Sequence, residues 1–243
     1  LENYLIFIFW LRRIFNRISL DEKRILIFYS SILKSNCNLI FDIGANVGVR
    51  TSVFLRLSKR VIAIEPNIEL VKILRSRFTG KNVVILDKAC DFESSKKDFY
   101  IGSNHLLSSL SKDFISHRIK MNSGITWESK IQVNTCSIDH LIQEYGIPDF
   151  CKIDVEGFEK EVLKGLNQKI GLISFEFNYP EFENETLWCL KKLSSLGYTL
   201  FNLSIGESLE LHYKEWISIN EIIEFFKLEN FPFGPCYGDI YAK

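Results

Sequence analysis

The segment Phe41-Asp42-Ile43-Gly44-Ala45-Asn46-Val47-Gly48 has to do two things at once: end a strand and begin a helix. Leu39-Ile40-Phe41 is a short apolar run that breaks at Asp42, and beyond the loop Val49, Val53 and Leu57 fall at helical spacing. A chain that turns this sharply needs backbone freedom. Gly44 and Gly48 permit positive φ and close approach. Asn46, where many such loops carry a third glycine, tolerates the left-handed region better than other residues with a side chain. Ala45 keeps the loop small. The bare Gly44 also leaves room for a ligand. A valine there is therefore expected to abolish ligand binding while the domain stays folded.

The next apolar run, Val61-Ile62-Ala63-Ile64, ends in Glu65-Pro66-Asn67. A carboxylate at the end of the second strand of such a unit accepts hydrogen bonds from ribose hydroxyls. Glycine loop and acidic strand end together point to a nucleoside cofactor. A dinucleotide would set its pyrophosphate on the helix N-terminus, and Asp42 would repel it. The same carboxylate suits a cation, such as the amino group in the methionine portion of S-adenosylmethionine (SAM). There is no Tyr-x-x-x-Lys pair, no Gly-Lys-Ser/Thr and no His-Glu-x-x-His in the chain. These absences favour SAM over NAD and over a P-loop nucleotide. The rival classes are a nicotinamide-dependent oxidoreductase or epimerase and a non-catalytic SAM-fold binding module.

A second constellation is Lys152-Ile153-Asp154-Val155-Glu156-Gly157-Phe158-Glu159. Asp154 ends the run Phe150-Cys151-Lys152-Ile153, Glu156 lies two residues on, and Gly157 lets the backbone turn. Carboxylates this close raise at least one pKa. Asp154 is the first candidate for a catalytic base and Glu156 the second. The alternative is that Asp154 caps the following helix and Glu156 or Glu159 feeds its dipole. Glu176 ends the next run, Leu172-Ile173-Ser174-Phe175, and could orient an acceptor. Acidic strand ends can hold a divalent cation, but no ligand spacing is diagnostic and no metal is expected.

The three segments Phe41–Gly48, Ile64-Glu65-Pro66-Asn67 and Lys152–Glu159 resemble, in order and spacing, the signatures of the FkbM family of SAM-dependent methyltransferases. Weaker echoes are Asn104 with Ser108-Ser109, Ser137-Ile138-Asp139, and Gly238-Asp239-Ile240. The likeness is good over residues 38–176 and loose in the C-terminal third. It implies O-methylation, commonly of a sugar or polyketide-type hydroxyl, and leaves the acceptor open.

Working outward, apolar runs alternate with helical spacing along most of the chain, as in a mostly parallel sheet with helices on both faces. The expectation is an α/β, doubly wound, Rossmann-like methyltransferase sheet of about seven strands, the last antiparallel. Ser19 and Glu22 form a capping box for a helix that turns Ile25, Phe28 and Ile32 inward. Residues 101–132 break the rhythm, and are expected to form a long loop over the ligand edge, where His105 and His117 could touch the acceptor. Trp216, Phe225, Phe226, Phe231 and Phe233 are expected to pack under the last strands.

The 243 residues suit one domain with an extension: a helical extension over 1–37 and a SAM-dependent methyltransferase domain over 38–243. Thirty basic and thirty acidic side chains cancel, so no charge excess points to nucleic acid. Six scattered cysteines without a Cys-x-x-Cys pair read as reduced core thiols of a cytoplasmic protein. The apolar residues 5–11 are too few to span a bilayer. They read as a docked helix through which a homo-oligomer could form. The expected partner is a small-molecule or glycan acceptor, with no integral membrane span.

Overall fold

The computed structural model describes residues 19–121, 124–127, 129–227 and 236–243. Residues 5–11, with the helix and subunit contact expected of them, lie outside the described residues, as do Phe231 and Phe233. The first described helix is α1 (Leu20–Ile32). Ser19 Oγ accepts from the Glu22 amide at 3.1 Å, and the Glu22 carboxylate accepts from the Ser19 amide at 2.9 Å. That is the reciprocal box expected. Ile25 and Phe28 are buried, Ile32 half-buried, and Tyr29 joins them in the core.

Strand and helix then alternate: β1 (Cys37–Ile43), α2 (Val49–Leu57), β2 (Ser58–Ile64), α3 (Ile68–Arg77) and β3 (Val83–Leu86). After them come β4 (Ala89–Cys90), β5 (Lys96–Ile101), α4 (Lys112–Lys120) and β6 (Ser129–Cys136). The chain continues through α5 (Ile138–Tyr145), β7 (Phe150–Ile153), α6 (Glu159–Lys164) and β8 (Leu172–Tyr179). It ends with α7 (Glu183–Ser195), β9 (Phe201–Ile205), α8 (Ile219–Phe226) and β10 (Cys236–Ala242).

The main sheet has seven strands in the order β3-β2-β1-β7-β8-β10-β9. The first five run parallel, and β10 lies antiparallel to both β8 and β9. This is the doubly wound sheet with its last strand antiparallel that the sequence led us to expect. Side chains alternate between its faces. Phe41, Ile62, Ile153 and Phe175 meet α5, α6 and α7 on one side. Ile40, Val61, Phe150 and Tyr241 meet α1 and α2 on the other. There Tyr29, Phe54 and Phe150 pack with ring centroids 4.9 and 5.5 Å apart, contacts worth about 0.5–1.5 kcal/mol each beyond area burial. Gly197, at φ +94° just past α7, lets the chain leave the helix with positive φ.

Two expectations need correction. Glu176 does not end its strand, because β8 runs on to Tyr179 in its pairing with β10. Residues 101–132 are not one long loop. β5 and β6 pair antiparallel, β4 joins the other edge of β6, and α4 is capped by Ser111. α4 buries only Phe114 and Ile115 from its own nine residues, so its period is faint. β9 begins at Phe201 and not at the apolar Tyr198, whose hydroxyl anchors the preceding turn to Ile170. The aromatic C-terminal segment contains a helix, α8, with its own capping box of Ser218 and Glu221. Phe225 and Phe226 are buried on it, and Phe226 meets Phe177 at 5.0 Å.

Candidate active site

A cleft enclosing about 940 Å³ of unfilled space, part of it open to solvent, lies at the carboxyl ends of β1, β2 and β7. Asp42, Gly44, Ala45, Asn46, Glu65 and Pro66 form one wall. Asp154, Glu156 and Phe158 form the floor beside them. Ala89, Cys90 and Phe99 of the small sheet close the far side, with His105 and Leu110 from the segment between β5 and α4. The irregular segment therefore does cover the ligand edge, and His105 reaches it. His117 is instead beside Phe182, with Glu181 3.8 Å away.

The loop is shaped by the protein's own backbone. Gly44 has φ +84°, and a Cβ there would stand 1.8 Å from the carbonyl oxygen of Asp154. The expectation that valine at 44 spares the fold is thus overturned: glycine is required by the contact between the ends of β1 and β7. Asn46 takes φ +50°, as its residue type allows. Gly48, at φ +79°, is off the cleft wall. Its missing side chain makes room for Leu74 and Phe78 of α3, each 2.6 Å from a hypothetical Cβ.

Glu65 is buried at 5% exposure. Its two carboxylate oxygens accept from the amides of Asn46 and Asn67, both at 2.8 Å. Burial pushes its pKa up to about 7, against those two hydrogen bonds. Asn67 also does not line the cleft. Its side chain caps α3 through the Glu69 amide, and its own amide holds Glu65. Asp42 is buried, raised by that burial, and accepts from the Thr51 hydroxyl on α2.

The second acidic group sits where the main cleft adjoins a smaller cavity lined by Gly157, Glu159, Glu176 and Asn178. Asp154, Glu156 and Glu176 each bring an oxygen within 4.8 Å of the other two. Their environments diverge. Burial would raise Asp154, but Lys152 at 3.0 Å and Arg50 at 4.0 Å outweigh it and hold Asp154 below the usual carboxylate range. Burial, and then the charge of Asp154, push Glu156 well up. Burial, and then Glu156, do the same to Glu176, whose Oε2 is buried without a hydrogen-bond partner among the described residues. Glu159 accepts from the Val155 amide, and burial lifts it to about 7. The cations that face this cluster are the protein's own: Lys152 and Arg50 at Asp154, and Arg118 with Lys152 at Glu156.

Asp154 does not cap α6. The N-cap is Phe158, without a side-chain cap bond. Four neighbours were given no role from the sequence: Lys152, Arg50, Asp239, and Ser109, whose hydroxyl donates to the Glu156 carbonyl at 2.7 Å. Lys152 and Asp239 stood within quoted motifs. What was missing was the strand pairing that brings them together.

The methyltransferase FkbM domain, as a family, matches residues 42–233. The chain belongs to that family. Among its relatives is the hexuronic acid methyltransferase AglP of Haloferax volcanii, 24% identical over 140 residues, which are 57% of this chain and 54% of that protein. The FkbM methyltransferase of Methylobacillus flagellatus KT has the same fold, with a TM-score of 0.55 at 15% identity. The match covers 90% of this chain and 47% of that one. This FkbM-domain chain thus spans about half the length of each. Among its described residues, no helix is long and apolar enough to cross a membrane.

Proposed function

We propose that this protein transfers a methyl group from SAM to a hydroxyl of a sugar-type acceptor. One observation carries the reading: the cleft is walled by four carboxylates, Asp42, Glu65, Asp154 and Glu156, above a glycine loop. Such a wall suits a ligand bearing an ammonium and a sulfonium, and repels a pyrophosphate. Glu65 keeps lone pairs beyond the two its amide partners use, and these face a ribose diol. Gly44, Ala45 and Asn46 hold the methionine portion against the backbone. The sugar-type acceptor is supported by the hexuronic acid methyltransferase among its relatives.

When bound, SAM supplies a methyl group already activated on a positive sulfur. The protein's share is alignment and removal of the hydroxyl proton. As the acceptor oxygen bonds the methyl carbon, the carbon–sulfur bond breaks with its electron pair on sulfur, and the hydroxyl proton needs a base. The electrostatics reorder the candidates. Asp154, paired with Lys152, is a fixed anion and a weak base, suited to orienting the acceptor. Glu156 and Glu176 share the raised affinity for a proton and take it up. A chelator is expected to leave turnover unchanged, and loss of turnover on chelation would assign the Asp154, Glu156 and Glu176 oxygens to a divalent cation. The test is calorimetry with S-adenosylhomocysteine against NAD(P), then SAM with hexuronic acid and neutral sugar acceptors, read as a CH₂ mass gain. Binding of NAD(P) alone would overturn the cofactor. Cofactor binding without mass gain on any hydroxyl acceptor would overturn the transfer.

A further inference from the structure

We propose that Lys152 is a positioning residue for this transfer: from inside the sheet its ammonium grips Asp154 and Asp239 together and so sets the Asp154 carboxylate in the cleft wall. The inference rests on the methyl-transfer reading but concerns a residue that the reading leaves idle.

The register shows how Lys152 comes to be there. Asp42, Lys152, Ser174, Tyr241 and Asn202 are neighbours across five strands, so their side chains share one face. Each is 2% exposed or less. The row of the same face toward the amino edge, Ile40, Phe150 and Leu172, is apolar and packs on α1 and α2. Lys152 does not line the cleft. Its Nζ reaches one row toward the carboxyl edge, donating to Asp154 at 3.0 Å and to Asp239 at 3.1 Å. Asp239 stands beside Glu176 in the register and also accepts from the Tyr241 hydroxyl at 3.4 Å. One ammonium therefore ties β7 to β10 across β8.

A buried ion pair of this kind is a poor source of stability, since apolar residues of equal volume commonly do as well. Its consequence lies at Asp154. Arg50 from α2 and Lys152 from beneath are the cations on that carboxylate. Asp42 from β1, Glu65 beyond β2, Glu156 and Glu159 beyond β7 and Glu176 from β8 are the acids around it. Tyr29 from α1 and Asp239 with Tyr241 from β10 face the ammonium. With Lys152 charged, any proton the acidic cluster takes up goes to Glu156 or Glu176, where the acceptor hydroxyl can deliver one. Without that charge, Asp154 competes for it and loses its fixed position.

The test follows the Asp154 side-chain carboxyl by ¹³C NMR in the whole, unliganded chain, with the resonance assigned by its absence in Asp154→Asn. In Lys152→Met the titration midpoint is expected to rise by about 1 pH unit or more, the scale set by losing an adjacent opposite charge. Lys152→Arg should restore it. The acid limb of kcat/KM should move with the NMR midpoint. A folded Lys152→Met with an unmoved Asp154 midpoint overturns the proposal. Where methionine fails to fold, Lys152→Gln serves. If neither neutral variant folds between about pH 5 and pH 8, although a protonated Asp154 would relieve the lost charge, the ammonium is only a structural counter-charge and the proposal is overturned. Failure of the methyl-transfer reading shows separately, as absence of S-adenosylhomocysteine binding to the wild type, and leaves the NMR result intact.

Discussion

Glu65 stands just past β2 and Glu176 just past the last residue of β8 that pairs with β7, and burial raises both. They are held in opposite ways. Glu65 has a backbone amide on each oxygen, so its position is fixed before any ligand arrives. Glu176 has a buried oxygen with no hydrogen-bond partner among the described residues, and two further carboxylates within 4.8 Å. A group satisfied by the backbone is built to bind. A group left unsatisfied, with its charge disfavoured, is built to take a proton. The difference separates the two halves of the cleft. Substitutions at the two sites should accordingly separate affinity from turnover.

The largest effect is expected where the two halves touch. Gly44→Val would drive a side chain into the Asp154 carbonyl, at a cost of roughly 3 kcal/mol or more, and should abolish the native fold. Circular dichroism showing a native-like spectrum with an unshifted thermal midpoint would mean that the two strand ends are not in contact.

Next comes the reactive half. Glu176→Gln keeps shape and removes basicity, so turnover should fall by about 10²–10⁴-fold, while S-adenosylhomocysteine affinity stays near wild type. Glu156→Gln should do the same, and the double variant should lose little more, because the two act as one unit. Full turnover in both single variants, measured at saturating acceptor, would take the base role from this pair.

The binding half should give the mirror image. Glu65→Ala is expected to weaken S-adenosylhomocysteine binding by about 1.5–3 kcal/mol, the scale of hydrogen bonds to a charged group. Saturating SAM should recover most of kcat. Unchanged affinity by calorimetry would remove Glu65 from the cofactor site.

The smallest effect concerns both halves together. Glu65 and Glu159, at about 7, bind protons in the folded protein at a pH where the unfolded chain, near 4.5, has released them. Stability from this source is complete below the unfolded value and is lost as pH rises through 7. The thermal midpoint of the unliganded protein should therefore rise as pH is lowered from about 8 to about 5. Saturating S-adenosylhomocysteine, whose ammonium favours the ionised wall, should flatten that slope. A midpoint that falls steadily over this range would show that these carboxylates are ionised and well solvated.

The binding half was largely legible in the sequence because its signals are local. Glycine, asparagine and an acid at strand ends report backbone conformation directly, and Gly44 and Asn46 take the left-handed geometry their types imply. The meaning of Gly44 was read in the wrong direction, since only the structure shows the Asp154 carbonyl against it. The reactive half was legible as a set of residues but not as a ranking. Asp154 and Glu156 look alike along the chain. What distinguishes them is Lys152, and its reach to Asp239 depends on a strand pairing distant in sequence. The small sheet was missed because its inward row in β6 includes polar Thr135 beside Ile131 and Val133. Thr135 is held through hydrogen bonds to Glu93 and Ser95.

β10 follows β9 in the chain but lies between β8 and β9 in the sheet. Until β10 arrives, β8 pairs on its β7 side alone, and β9 faces it across an empty lane. Lys152 is already committed to β7, yet Asp239, one of its two partners, belongs to β10. On the ribosome, the chain emerges from its N-terminal end, so the glycine loop and β1 to β3 can assemble early, while the acidic half waits. A ligand that needs only the loop could meet a nascent chain. The chemistry that needs the acidic cluster in place begins only after β10 slots home, so order of synthesis becomes order of function.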